Sequence, residues 1–306
     1  MTAPLLHAQS ARFAGLDPLL PAAVEPPPGD TLTAALPDGR RVAGVLCRTV
    51  LTPGTPQTLW SASEVWELHP LLGAAGGSGM AALLRRWPSV LARMSPGLDS
   101  ACVVNWPSRD AESTGALLAH GFVPLAVLAV RTGLAEQTAP ETGVRVRRAV
   151  AGDLDVLVDS AMAEVRYSSQ VGGAVPRPGA ERIKRETLRA HLAQADPMWV
   201  AERDGVPVGH VEGWHTTSTP GSWAETRVPH GRWAYVNCLS VLPEARGSGV
   251  GRALMAQAHR ELLVPGTAGA FLYYNPPNPL SPVFWARQGY RPLWTVWEVR
   301  PAGALR

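Results

Sequence analysis

Lysine is almost missing from this 306-residue chain: Lys184 is the only one, so the net charge of +3 rests on arginine. No block of basic residues stands out, and a nucleic-acid partner is not expected. The basic balance, with an isoelectric point near 9.0, would favour a small anionic ligand. Cysteine is scarce as well. Cys47, Cys102 and Cys238 are odd in number and far apart, without C-x-x-C spacing. Neither a disulfide framework nor a metal site is expected, and the three read as buried, reduced thiols. No apolar run approaches the ~18 residues of a membrane span, and MTAPLLHAQSARF lacks the pattern of a secretory leader. No membrane partner and a cytoplasmic location are therefore expected.

What is present is apolar material: 46% of residues are hydrophobic and 17% charged, enough to build real cores. The length suits two domains of roughly 100 to 200 residues. The small, polar segment TGLAEQTAPETG (132–143) reads as a linker, giving domains 1–133 and 144–306 around a linker at 134–143.

Comparison of the halves reveals a repeat. Asp38-Gly39 and Asp204-Gly205, each between β-rich runs, read as hairpin turns. Gly77-Ser78-Gly79 answers Gly247-Ser248-Gly249, Asn105 answers Asn275, and HGFVPL (120–125) answers QGYRPL (288–293). Four correspondences in one order, at nearly one offset, predict two copies of one fold.

In the second copy, VRVRRA (144–149) alternates as a strand, and helical patterns follow Asp153 and fill 179–193. A hairpin around Asp204-Gly205, a strand over 233–243, a glycine loop with its helix, a strand at AGAFLYYN, a short helix and a closing strand at RPLWTVWEV complete the order β-α-α-β-β-β-α-β-α-β. That is an α/β domain with a mixed sheet.

The stretch RGSGVGRAL (246–254) puts three glycines in front of a helix. Backbone N–H groups and the helix dipole converge there, and missing Cβ atoms let phosphate oxygens approach. The spacing fits neither a Walker loop, since Arg252 and Ala253 replace Lys-Ser/Thr, nor G-x-G-x-x-G.

It does fit R-x-x-G-x-G, after LSVLP and before Asn278 and WARQGY. On these residues the chain resembles the GNAT superfamily of acyl-CoA-dependent N-acyltransferases over roughly 144–306. The resemblance implies two tandem GNAT-like domains, each a central mixed β-sheet flanked by helices, with acetyl-CoA as co-substrate. It implies pyrophosphate binding by the backbone of Arg246, Gly247, Ser248, Gly249, Val250, Gly251 and Arg252. Pantetheine would contact Leu239, Val241 and Asn278 where two strands splay apart, and a backbone N–H near Leu239 or Ser240 would receive the oxyanion. The alternative role of Asn278 is that of a turn residue between prolines.

Transfer in a ternary complex to a primary amine of a small molecule is implied, so Cys238 is expected to be a packed strand residue. Trp285 stands where many members carry the tyrosine that protonates the leaving thiolate, and indole is no acid; it is kept among the cofactor-binding positions. Tyr235 and Asn237 are the catalytic candidates, able to orient a water from the face shared with Leu239. Glu212 and His210 are the other titratable candidates, and Trp214 and Trp223 suggest an aromatic or apolar acceptor. In the first half Gly76, Gly79 and Ala81 replace Arg246, Gly249 and Gly251, and Leu117 replaces Trp285. That copy is expected to be a degenerate one that packs against the second half and completes its acceptor site, with a loop that could still approach a phosphate; the alternative is a structural partner only. The alternative for the whole chain is an acyl-CoA-binding regulatory or scaffold protein without turnover.

Overall fold

The computed structural model describes residues 2–133 and 143–306. The expected linker therefore lies, except for Gly143, outside the described residues. The first half runs α1 (Thr2–Leu16), β1 (Asp30–Ala35), β2 (Arg41–Val50), β3 (Glu64–Leu71), α2 (Gly76–Met94), β4 (Ser100–Pro107), α3 (Ala111–Ala119) and β5 (Val123–Arg131). The second runs β6 (Val144–Arg148), α4 (Leu154–Gln170), α5 (Ala180–Ala193), β7 (Met198–Arg203), β8 (Val206–Ser218), β9 (Gly231–Val241), α6 (Val250–Leu262), β10 (Thr267–Tyr274), α7 (Ser281–Arg287) and β11 (Arg291–Val299). The second half has the element order read from its sequence.

Both Asp-Gly pairs turn hairpins. In the β7–β8 hairpin Asp204 and Gly205 both have positive φ, +52° and +78°, between paired Arg203 and Val206. This is the left-handed turn whose twist matches that of the strands, and it explains the residue choice.

The fold is mixed α/β with helices flanking a mixed sheet, and the sheet is continuous. Its eleven strands run β1-β2-β3-β4-β11-β5-β10-β9-β8-β7-β6. The reading of RPLWTVWEV as the strand that closes the second copy's own sheet is corrected. Strand β11 instead lies between β4 and β5, both of the first half, while β5 pairs with β10 of the second. The repeats have exchanged their last strands. Equivalent apolar strands offer the same pleated face to either neighbour, so nothing in the local pattern distinguishes the two pairings.

The two halves share one large apolar core. Trp66, Trp87 and Trp106 of the first half lie in it with Trp233 and Phe271 of the second, all at most 2% exposed. Side chains of this size contribute ~1.5–3 kcal/mol each when fully buried. A second core under α6 joins Val236, Leu254, Leu272 and Trp285 to Val127 and Ala129 of the exchanged strand.

Candidate active site

Strand β9 builds the site by leaving its neighbour. Its parallel pairing with β10 ends at Val236↔Leu272, while its antiparallel pairing with β8 continues to Val241↔Gly209. Past Val236 one edge of β9 is open, and this is the splay implied for a pantetheine arm. At the mouth of the gap, α6 begins behind Gly249, whose φ is +88°, and Gly247 is left-handed too, at +78°. Both conformations favour glycine and turn the loop's amides outward. Gly251 serves otherwise. It is helical, and a Cβ there would sit 3.2 Å from the ring of Phe284, so this third glycine admits an aromatic neighbour rather than a ligand.

Around the loop, Arg246 donates to the carbonyl of Val241 (3.1 Å), and its guanidinium lies 5.0 Å from the centre of the Tyr167 ring. Ser248 donates to Ala245 O (2.7 Å) and accepts from Arg203. Asn278 Oδ1 accepts the backbone N–H groups of Leu280 (2.9 Å) and Ser281 (3.2 Å), so its carbonyl serves the turn into α7. Trp285 is buried against Phe284 and Tyr290, an apolar wall with no acid to offer. One cavity of about 1600 Å³ is bordered by Tyr235, Asn237, Leu239, Val241, Asn278, Trp285 and every position from Arg246 to Arg252 except Ser248.

The shared face of Tyr235 and Leu239 is corrected by a bulge. The register steps from Glu212↔Cys238 to Gly213↔Val236, leaving Asn237 as the extra residue. An inserted residue reverses the alternation beyond it. Tyr235 accordingly packs on Trp214, whereas Leu239 joins the core under α6. The bulge turns Asn237 Nδ2 toward Glu212, to whose Oε1 it donates at 2.8 Å.

Glu212 is the centre of a polar network. Burial alone would push its carboxyl up, but the hydrogen bond to His191 and the nearby charge of Lys184 hold it below the usual range. His191 Nδ1 lies 3.3 Å from Glu212 Oε2, and this bond raises the imidazole above its ordinary value. With Nδ1–H donating to an ionised carboxylate, Nε2 of the neutral ring keeps a lone pair.

His210 is different. It is fully buried, lowered to about 4, and bonded to Ser160 Oγ (2.9 Å), so it stays neutral. Burial also raises Tyr235 and Cys238, which leaves the phenol and the thiol protonated and excludes Cys238 as a thiolate nucleophile. The other thiols divide: Cys102 is buried and Cys47 only half-buried. His210, Glu212 and Cys238 have donor atoms within 4.8 Å of one another, but Glu212 already spends both oxygens on His191 and Asn237.

Sequence reasoning missed many of the cavity's lining residues, four of which matter to its chemistry. His191 and Lys184 lie on α5, Glu164 on α4, and Trp60 in the first half. Their only sequence signal is a polar or aromatic residue in an amphipathic helix or loop, which most surface positions share.

In the first half the equivalent gap is closed, correcting the expectation of a loop open to phosphate. Pairing of β3 with β4 ends at Leu68↔Val104, and α1 fills the space beyond. Gln9 donates to Pro70 O (3.0 Å) and accepts from Leu72 N (2.8 Å). At the start of α2, Gly76 and Gly77 lie tightly against Glu112, and Arg12 bridges Glu112 and Asp110.

Residues 167–290 match the acetyltransferase (GNAT) family model. The match lies wholly within the second half and spans the open edge of β9, the glycine loop and α7. Among solved structures, the chain is similar to a GCN5-related N-acetyltransferase from Sphaerobacter thermophilus, with 15% identity and a TM-score of 0.54, over 89% of this chain and 82% of that one. At this identity the likeness establishes the fold. It is also similar to a tandem GNAT protein from the clavulanic acid biosynthesis pathway, at 15% identity and a TM-score of 0.47, over 91% and 85% of the two chains. A Clostridium acetobutylicum predicted acetyltransferase, solved with acetyl-CoA, matches 48% of this chain and 90% of its own at 17% identity and a TM-score of 0.39. No curated protein matches the chain. Among the described residues no helix is long and apolar enough to cross a membrane.

Proposed function

We propose that the protein is an acetyl-CoA-dependent N-acetyltransferase acting on a primary amine of a small molecule, within a ternary complex. One observation carries this reading: a single cavity joins the glycine-capped start of α6, the open edge of β9 and the His191–Glu212 pair. The loop from Arg246 to Arg252 would hold the pyrophosphate, with Arg252 at the cavity wall and Ser248 bracing the turn. Leu239 and Val241 offer main-chain groups to the pantetheine, and free N–H groups past the bulge face the thioester oxygen.

The acceptor enters as an ammonium ion. His191 Nε2 takes one proton, and the neutral nitrogen attacks the thioester carbon. The C–N bond forms as the C–S bond breaks, and the second nitrogen proton passes to the departing thiolate, giving amide and free thiol. Tyr235 and Asn237 act around this step: Tyr235 as a neutral ring in the wall, Asn237 by fixing Glu212.

Gly249→Asp, set beside Gly249→Ala, tests the reading. Gly249→Ala carries the larger left-handed strain, ~1–2 kcal/mol, and only Gly249→Asp adds a carboxylate where phosphate should lie, so loss of binding confined to the Asp variant is not a strain effect. Calorimetric titration is expected to give acetyl-CoA binding in Gly249→Ala and none in Gly249→Asp. Equal binding by both would remove the pyrophosphate from this loop. Trp285, in place of an acid, favours the second reading, an acyl-CoA-binding regulatory protein. Amine-dependent thiol release separates the two.

A further inference from the structure

Beyond the thioester, the cavity has an end whose walls come from both halves. Trp214, Trp223 and Tyr235 stand edge to face, with ring centroids 5.3 Å apart for Trp214–Tyr235 and 5.6 Å for Trp223–Tyr235, and Phe271 lies behind Tyr235 at 5.0 Å. Trp60 of the first half lines the same cavity, with the ammonium of Lys184 5.0 Å from its ring centre. It is held there by direct bonds between the halves: Val175 N donates to Leu59 O, and Arg177 binds Asp99 and the carbonyls of Thr58 and Ser61.

The polar groups at this end are largely committed. Glu212 is occupied by His191 and Asn237, and the Tyr273 hydroxyl accepts from Arg227 (3.1 Å). Arg227 in turn bonds Trp223 O and Thr226. Glu164 is the exception. Its Oε1 accepts from Ser168 (2.8 Å), but its Oε2 is buried with no partner among the described residues. A buried carboxylate oxygen without a donor is costly, and it is the group that an incoming ammonium would satisfy.

We propose that the acceptor is an arylalkylamine, its ring among Trp60, Trp214, Trp223 and Tyr235 and its ammonium group on Glu164. This rests on the acetyl-transfer reading of the same cavity and adds the substrate class. Aromatic walls bury a flat apolar body and attract a cation beside it. A sugar-like acceptor would need polar partners all round its body, whereas this wall is built of flat rings and its buried, unpartnered oxygen is a single carboxyl atom, Glu164 Oε2. Burial, the largest influence on Glu164, favours its neutral form in the empty site, and Lys184 and Ser168 oppose it only in part. An arriving ammonium therefore binds as Glu164 releases its proton to solvent, and it stabilises the carboxylate so formed. Glu164 is read as the recognition group and His191 as the base.

The test uses the full chain. Phenethylamine and its neutral analogue 2-phenylethanol are titrated by tryptophan fluorescence into the wild type and Glu164→Gln. Thiol release from acetyl-CoA is then followed with phenethylamine, tryptamine, glucosamine and spermidine. The wild type is expected to favour the two arylalkylamines at least tenfold in kcat/KM. Glu164→Gln is expected to weaken phenethylamine at least tenfold, while 2-phenylethanol and acetyl-CoA bind as before. Trp60→Ala, a change outside the second half's core, is expected to lower kcat/KM for tryptamine and leave glucosamine where it was, which tests the chamber should Glu164→Gln not fold. Preference for glucosamine or spermidine, or unchanged phenethylamine binding in Glu164→Gln, would overturn the substrate class and leave acetyl transfer standing. Glu164-dependent binding of phenethylamine without thiol release from any amine would do the reverse.

Discussion

His191 owes its properties to a partner on another element. Because Glu212 raises the imidazole above 6.5, the form that accepts a proton becomes abundant only above that pH. Amine-dependent thiol release is therefore expected to climb as pH rises through a value above 6.5, and His191→Gln should flatten that limb and lower kcat by roughly 10²–10⁴-fold. A limb centred below 6.5, or one that survives the substitution, would exclude His191 as the base. The stability contribution runs the other way. A histidine raised on folding stabilises fully below its unfolded pKa and loses that contribution as pH rises through the folded one, so activity grows where this ion pair weakens. At this scale the sequence was legible where a requirement is local. Gly247 and Gly249 answer a backbone conformation written in consecutive residues. The His191–Glu212 pair joins a helix to a distant strand, and the Asn237 bulge is visible only once β8 and β9 are in register, so neither had a signature.

Among the elements, α1 makes the first copy unlike the second. The carboxamide of Gln9 bonds the backbone of Pro70 and Leu72 beside the place where β3 parts from β4. Where the second half keeps an open edge for a ligand, the first half supplies its own side chain. Titration of acetyl-CoA should accordingly reach one equivalent, and a second equivalent would show that α1 yields. Replacing Gln9 by Leu leaves a buried carbonyl and a buried amide unpaired, and should lower unfolding stability by roughly 2 to 4 kcal/mol, read by urea denaturation. The repeat itself was legible, because Asp-Gly turns and glycine loops are short and chemically demanding. The helix that plugs one copy was not, since it stands before the Asp-Gly hairpin just as α5 does in the second copy, and nothing in its sequence says that Gln9 fills a gap between strands.

For the whole molecule, the exchanged strands make the halves inseparable. Each neighbour of β5 belongs to the second half and each neighbour of β11 to the first. Arg131, at the end of β5, extends this join: it bonds His259 on α6 and the carbonyl of Gln288 (both 3.0 Å), and His259 passes a bond to Tyr290 (2.9 Å). A protease site placed within 134–142 and cut in the folded protein should leave one species of the intact mass on size exclusion. Residues 1–133 produced alone should be insoluble. Separation of the cut halves in native buffer would contradict the exchange.

The exchange also has a consequence for synthesis. Cys102 in β4 is paired with Val299 in β11, so the strand that covers this edge is synthesised only after β5 to β10 have all been made. Until then SACVVNWP presents an unpaired, mostly apolar edge, the kind of surface that recruits other chains. The nascent first half must wait, shielded or at risk, until the second copy has been made. A premature stop just before Arg291 would thus cost the protein not the second copy's rim but the seam of its sheet.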